Sequence, residues 1–270
     1  MPDTTVLTVE RRGPVAVVWL DRPEARNAMA HELWDELPVV AAALGSDEQV
    51  RAVVIAAKGE AFTVGLDLKA FAPDLAPGDQ SVVARRRTLH LVKAMQHTFS
   101  SIADLPQPVI AAVHGFCLGA GIDLITACDI RLAAQDAVFS VRETRIGMVA
   151  DVGTLQRLPL IVEPGRVAEL VYTGRDFTAA EALAIGLVGV VHDDAPATQQ
   201  AAIEMAETIA ANSPLAVQGA KAVMRAGRNR SVEEALDYVA LWNAAFLHSN
   251  DLGEALLAFS EKRPPRFEGR

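Results

Sequence analysis

The chain has 270 residues, with 25 Lys and Arg against 34 Asp and Glu, for a formal net charge of −9. Hydrophobic residues make up 51% and charged residues 22%, which excludes a disordered chain, and the length fits one large domain, or one domain with an appendage. The acidic balance argues against nucleic acid and anionic membranes as partners.

Residues 1–9 carry neither a signal-peptide nor a transit-peptide pattern. The runs 6–10 and 15–20 are β-like, and Arg11-Arg12-Gly13-Pro14 between them has hairpin turn chemistry. A loop over 21–27 leads to a helical pattern over 30–44. RAVVIAA at 51–57 reads as a buried strand, followed by a turn at 58–60 and a loop over 61–69 around Gly65. Residues 73–78 are proline-rich and expected to be mobile, and 81–102 reads as a long helix carrying Arg85-Arg86-Arg87. PVIAAV at 108–113 is a second buried strand. It runs through Gly115 and Gly119-Ala120-Gly121 into a helix ending at Ala127, with another strand at 129–133. This alternation predicts an α/β core with parallel segments. Beyond residue 195 only helical patterns remain, at 199–211, 214–226, 232–247 and 252–260. The boundary is therefore set between a core over 1–195 and a helical region over 196–270. Apolar spacing on those helices implies packing on this core or on a second subunit.

No apolar run is long enough to span a membrane, since glycines and an aspartate break the segment 108–128. The cysteines, Cys117 and Cys128, lie in apolar segments and are expected to be buried free thiols of a cytoplasmic protein, although they could pair. Six scattered histidines without ligand spacing imply no metal.

Two segments could present backbone N–H groups to an anion. One is Ala61-Phe62-Thr63-Val64-Gly65-Leu66-Asp67-Leu68, and the other runs from His114 through Gly119-Ala120-Gly121 to Asp123. Small residues allow close approach, and the first N–H groups of a helix have no partner within it. Each segment alone also reads as an ordinary turn. Three acids stand among apolar and glycine-rich neighbours: Asp123, Glu143 and Asp151. Taken singly, Asp123 fits a first-turn helix acid, Glu143 an ion pair with Arg142 or Arg145, and Asp151 a helix cap near Gly153. Together they form a cluster of candidate proton-transfer groups.

The ordered set AFTVGLDL, PVIAAVHGFCLGAGIDL, CDIRLA and FSVRETRIGMVADVGTLQRLP resembles the crotonase (enoyl-CoA hydratase/isomerase) superfamily, as do LDRPEARNAM and AFSEKRPPRF near the ends. The resemblance implies an α/β fold: a crotonase-like spiral of β-β-α repeats with a C-terminal helical trimerisation region. It implies an acyl-CoA thioester substrate and a homo-trimer or dimer of trimers, with no nucleic acid and no membrane as partner. No cofactor is implied, because coenzyme A is part of the substrate. By motif position, the backbone N–H groups of Leu66 and Ala120 form an oxyanion hole. Ala25, Arg26, Leu66 and Asp67 fall where the family holds CoA. Lys262 resembles a basic residue that approaches the CoA phosphates, often from a neighbouring subunit, though it also fits a solvated charge, and residues 73–83 fall at a variable flap.

Hydratases of the family carry glutamates at the positions of Asp123 and Glu143, and glycine where this chain has Asp151. The triad Asp123, Glu143 and Asp151 instead resembles the Δ3,5-Δ2,4-dienoyl-CoA isomerases. That resemblance implies C2 deprotonation at Asp151 and C6 protonation at Glu143, assisted by Asp123. The alternatives are a 2-enoyl-CoA hydratase or Δ3-Δ2-enoyl-CoA isomerase and, more remotely, a non-catalytic binding protein.

Overall fold

The structure is a computed structural model describing residues 2–75, 78 and 81–270. Its strands are β1 (Leu7–Arg12), β2 (Val15–Leu20), β3 (Ala52–Ala57), β4 (Val109–Val113), β5 (Phe116–Leu118), β6 (Ile130–Ala134), β7 (Val138–Ser140), β8 (Phe177–Thr178) and β9 (Val190–His192). Its helices are α1 (His31–Gly45), α2 (Ala72–Leu75), α3 (Val82–Ala103), α4 (Ala120–Ala127), α5 (Thr154–Arg157), α6 (Pro164–Thr173), α7 (Ala179–Ala184), α8 (Ala195–Ala210), α9 (Pro214–Ala226), α10 (Val232–Phe246) and α11 (Asn250–Glu261).

The main sheet has the order β1-β2-β3-β4-β6-β9, and a second sheet has the order β5-β7-β8. The β1–β2 hairpin is antiparallel, with Leu7 opposite Leu20, and every later pairing in the main sheet is parallel. Strands β3 and β4 are buried along their whole length, which is why they read as unbroken apolar runs. Their side chains still alternate between two cores. Val53, Ile55, Val109, Ala111 and Val113 pack toward Leu37, Phe99, Ile122 and Ile125. On the other face, Val54, Ala56, Ile110 and Ala112 pack against Ala202, Ile203, Ala206 and Ala210 of α8. Small residues on both sides bring helix and sheet close together, consistent with the alanine-rich, aromatic-poor composition.

The boundary set at residue 195 coincides with the start of α8, where Asp194 caps the helix by accepting from the Ala197 N–H. Strands end there, but packing on the core does not, because α8 covers one face of the main sheet. Lys221 of α9 is also tied to the core: its ammonium is 2.6 Å from Asp129 and donates to the Gln107 carbonyl at 2.9 Å.

The long elements lie within a few residues of their expected positions. The strands of β5, β7, β8 and β9 have two or three residues each and were not expected, nor were α6 and α7, whereas α5 begins beside Gly153, where a helix start was expected. Of the proline-rich connector, α2 forms a helical turn, while residues 76, 77, 79 and 80 lie outside the described residues. Cys117 and Cys128 are buried and free. Among the described residues no helix is long and apolar enough to cross a membrane.

Candidate active site

The two glycine-containing segments meet. The Thr63 N–H donates to the Phe116 carbonyl at 2.8 Å, and the Leu118 N–H to the Thr63 carbonyl at 3.1 Å. This pairing brings Gly65 against the entry to α4. Gly65 has φ +85°, and a Cβ there would lie 2.6 Å from the Leu118 carbonyl oxygen and 3.4 Å from the Ala120 nitrogen. Only glycine tolerates both the conformation and the approach. The neighbouring Asp67 N–H is taken by the Met29 carbonyl, whereas the Leu66 N–H has no acceptor among the described residues. Ala120 is the first residue of α4, so its N–H has no acceptor within the helix. Leu66 and Ala120 line the same pocket and can offer two convergent donors to one oxygen.

The three acids line that pocket too, a cavity of about 340 Å³ whose apolar wall includes Trp34, Phe71, Leu91, Val92 and Met95. Asp123 is fully buried in the first turn of α4. Its Oδ1 accepts the Thr154 N–H at 2.5 Å, capping α5 across the site, while its Oδ2 has no partner. Burial pushes its carboxyl up to about 6, with the negative charge of Asp151 adding to the shift and the bonds from Thr154 opposing it. Glu143 follows β7 and opens a helical turn, Glu143–Ile146. Its Oε1 would lie 3.3 Å from a Cβ on Gly119, whose φ is +53°, and its buried Oε2 has no partner. Burial pushes Glu143 up to about 7, reinforced by Asp123 and Asp151. Asp151 is raised from the ordinary aspartate range, again chiefly by burial.

The plainer readings of the acids do not describe what these side chains do. Glu143 pairs with neither neighbouring arginine: Arg142 makes a two-pronged contact with Asp176, both oxygens 2.7 Å from its Nη2, and Glu143 has no ion pair among the described residues. Asp151 does not cap α5, because Gly153 occupies the cap position. Asp123 does sit in a first turn, as expected, and also caps a second helix.

The residues expected to hold CoA fare differently. Ala25 is part-exposed and Arg26 exposed, the latter at φ +51°, and next to it Asn27 is also left-handed at φ +53°. The Asn27 side chain stabilises this pair of unusual conformations, accepting from the Arg22 N–H and donating to the carbonyls of Lys58 and Ala61. The Asp67 carboxylate is bound by Arg22 at 2.7 Å and by the N–H groups of Lys69 and Ala70, which hold it below the usual range. Its side chain braces the loop that presents Leu66. Lys262 is exposed at the end of α11 and does not line the pocket, and Arg85, Arg86 and Arg87 are exposed along α3. The expected flap contributes Asp74 and Leu75 to the pocket. Sequence reasoning missed the apolar wall on α3; its trace in the sequence was Leu91, Val92 and Met95 sharing a face of that helix.

Residues 10–270 match the family profile described as enoyl-CoA hydratase/isomerase. The chain belongs to the enoyl-CoA hydratase/isomerase family. Within the family, it is 44% identical over 249 residues to the Δ(3,5)-Δ(2,4)-dienoyl-CoA isomerase, mitochondrial, of Rattus norvegicus, covering 91% of this chain and 76% of that one. It is 40% identical over 251 residues to the peroxisomal Δ(3,5)-Δ(2,4)-dienoyl-CoA isomerase of Arabidopsis thaliana, covering 92% and 90%. Among solved structures, the enoyl-CoA hydratase from Bacillus anthracis superposes with a TM-score of 0.91 at 33% identity, covering 98% of this chain and all of that one. The family spiral is thus the fold of this chain.

Proposed function

We propose that this family member converts 3,5-dienoyl-CoA to 2,4-dienoyl-CoA. The observation that carries this reading is the convergence of three carboxyls and two free N–H donors on one apolar pocket. The 40–44% identical relatives named as dienoyl-CoA isomerases support it.

In this mechanism the thioester oxygen accepts from the Leu66 and Ala120 N–H groups. Asp151, ionised, takes a proton from C2. The electron pair of the broken C–H bond spreads through the diene, and the charge gathers on the thioester oxygen. Fixed donors at such an oxygen typically contribute about 3–4 kcal/mol each to lowering the barrier. Glu143 then gives a proton to C6, and the double bonds settle at C2 and C4. The substrate has exchanged a C2 proton for one at C6, leaving Asp151 protonated and Glu143 ionised, and exchange with solvent resets both carboxyls. The raised Glu143 keeps a transferable proton near neutral pH. Asp123 is a third carboxyl in the same pocket, and it holds the Thr154 end of the loop bearing Asp151. Two carboxyls on separate loops suit a proton shift across the diene, which one carboxyl could hardly span. The reaction calls for no group beyond the protein and the CoA thioester.

The CoA moiety lies along Ala25, Arg26 and the loop held by Asp67 in this proposal, with Lys262 serving the phosphates of a neighbouring subunit's ligand. The assembly proposed is a homo-trimer or dimer of trimers, supported by the exposed apolar side chains of α10 and α11. The two buried thiols suit a reducing compartment, and we assign the cytoplasm.

The test is incubation with a 3,5-dienoyl-CoA in heavy water, following the 2,4-dienoyl chromophore and reading deuterium at C6. Appearance of the chromophore with deuterium at C6 is expected. Hydration of crotonyl-CoA without dienoyl turnover would replace this reading with a hydratase.

A further inference from the structure

We infer that Gln96 is a positioning residue that sets the direction of Asp151; this rests on the assignment of Asp151 as the C2 base.

The Asp151 carboxyl makes no hydrogen bond to another side chain among the described residues, so its direction depends on how its own peptide is held. Gln96 holds that peptide: its Nε2 donates to the Asp151 carbonyl at 2.7 Å. The next peptides are held as well. Arg157 donates through Nη1 to the Val152 carbonyl at 3.3 Å and through Nη2 to Ser100 Oγ at 3.0 Å. A Cβ on Gly153, at φ +134°, would fall 1.9 Å from Arg157 Nη1, so the loop passes tightly over that guanidinium. The Thr154 N–H is taken by Asp123.

Two of these ties run to α3. Gln96 and Ser100 are one turn apart and share a face. Leu91, Val92 and Met95 of the same helix form part of the apolar wall of the pocket. The helix that packs the acyl chain therefore also holds the peptide of the base. Gln96 itself does not line the pocket, so it acts through Asp151 and not on substrate. A misplacement of about 1 Å at a proton-transfer group can cost on the order of 100-fold in rate.

The test uses the full-length protein and two variants. Gln96→Met keeps the length and helix preference but removes the donor. Gln96→Glu keeps the shape and loses donation once ionised. Two readouts are followed: turnover of a 3,5-dienoyl-CoA with hydrogen or deuterium at C2, and exchange of C2 hydrogens of a saturated acyl-CoA with heavy water. The expected result for Gln96→Met is a kcat lowered roughly 10- to 100-fold, KM within about twofold, slower C2 exchange, and a larger C2 deuterium isotope effect on kcat. Gln96→Glu should match it at pH 8 and carries the test should Gln96→Met fail to fold. A merely structural tie would lower the melting temperature and leave kcat, exchange and isotope effect at wild-type values; that outcome overturns the inference. Wild-type protein that exchanges C2 hydrogens without isomerising the diene overturns the proposed reaction alone. Wild-type protein that does neither overturns both.

Discussion

Helices α4 and α10 are both rich in apolar residues, yet their surroundings are opposite. Every residue of α4 from Ala120 to Ala127 is buried by this chain. None of the 15 residues of α10 is buried, and Leu236 and Leu241 are 60% and 71% exposed. Phe259 on α11 is 86% exposed. Local signals explain why α10 forms at all: Ser231 and Glu234 make a reciprocal capping box, and Trp242 packs against Gly219 of α9. Beyond that contact with α9 much of its apolar surface stays exposed in its own chain, whereas α4 is dry enough to move the pKa of the acid it carries. The contrast separates a helix enclosed by the core, beside the proposed site, from one that leaves apolar surface free for the proposed assembly.

The sharpest way to break the comparison lies beside α4. Asp151→Asn removes the proposed base and should lower kcat by about 10²–10⁴-fold while leaving acyl-CoA binding intact. Steady-state kinetics alongside calorimetric titration with a non-reactive acyl-CoA would check it; retention of wild-type kcat refutes the assignment. In the same assay, kcat of the wild type should fall as pH rises through about 7, because Glu143 must be protonated to serve C6 and its pKa lies near there. It should also fall at low pH as Asp151 takes up a proton. A flat profile from pH 6 to 8 would contradict the acid role.

Ile122→Ala opens a cavity at a fully buried position of α4 and should cost about 2–5 kcal/mol of stability, read by denaturant unfolding. A cost below 1 kcal/mol would mean that α4 is not the packed element described above.

Asp123→Asn should stabilise the protein at pH 7 by roughly 1–3 kcal/mol even as it slows turnover. The native carboxyl titrates near 6 and an ordinary aspartate near 3.8. Between these values the folded state holds a proton that the unfolded state has lost. Wild-type stability from this group is therefore fully present below about 3.8 and is lost as pH rises through about 6. The advantage of Asn should appear across that window and vanish below it. Equal melting temperatures at pH 7 would count against a buried, raised Asp123.

The smallest effect on the fold is expected on α10. Leu241→Gln should change subunit stability by about 0.5 kcal/mol or less, as exposed positions do. It should nonetheless shift the assembly toward smaller species in sedimentation velocity. An unchanged assembly together with a large loss of stability would reverse the contrast with α4.

Much of the fold was legible because its signals are local. Unbroken apolar runs marked β3 and β4, and glycines marked the turns that follow them. The short strands β5, β7, β8 and β9 were not legible. Two or three residues carry no periodicity, and they are strands only because a neighbour offers a ladder, as Ser140 pairs with Leu118. At the site, the three acids and the two N–H donors stood out by residue type and motif order. Their partners did not. Arg142 turned to Asp176 instead of Glu143, and Asp67 gave its carboxylate to Arg22; both choices span more than thirty residues.

The sequence by itself determined the family, the order of the long elements and which carboxyls are candidates to move protons, because motif identity and hydrophobic patterning are properties of neighbours along the chain. Only the tertiary structure decided that Asp123 caps a distant helix, that Glu143 has no ion pair among the described residues, that α3 both lines the pocket and grips the peptide of Asp151, and that α10 leaves much of its apolar surface exposed. Burial and pairing depend on what other segments bring to a residue. Those encounters, not the local sequence, set the carboxyl pKa values on which the proposed chemistry depends.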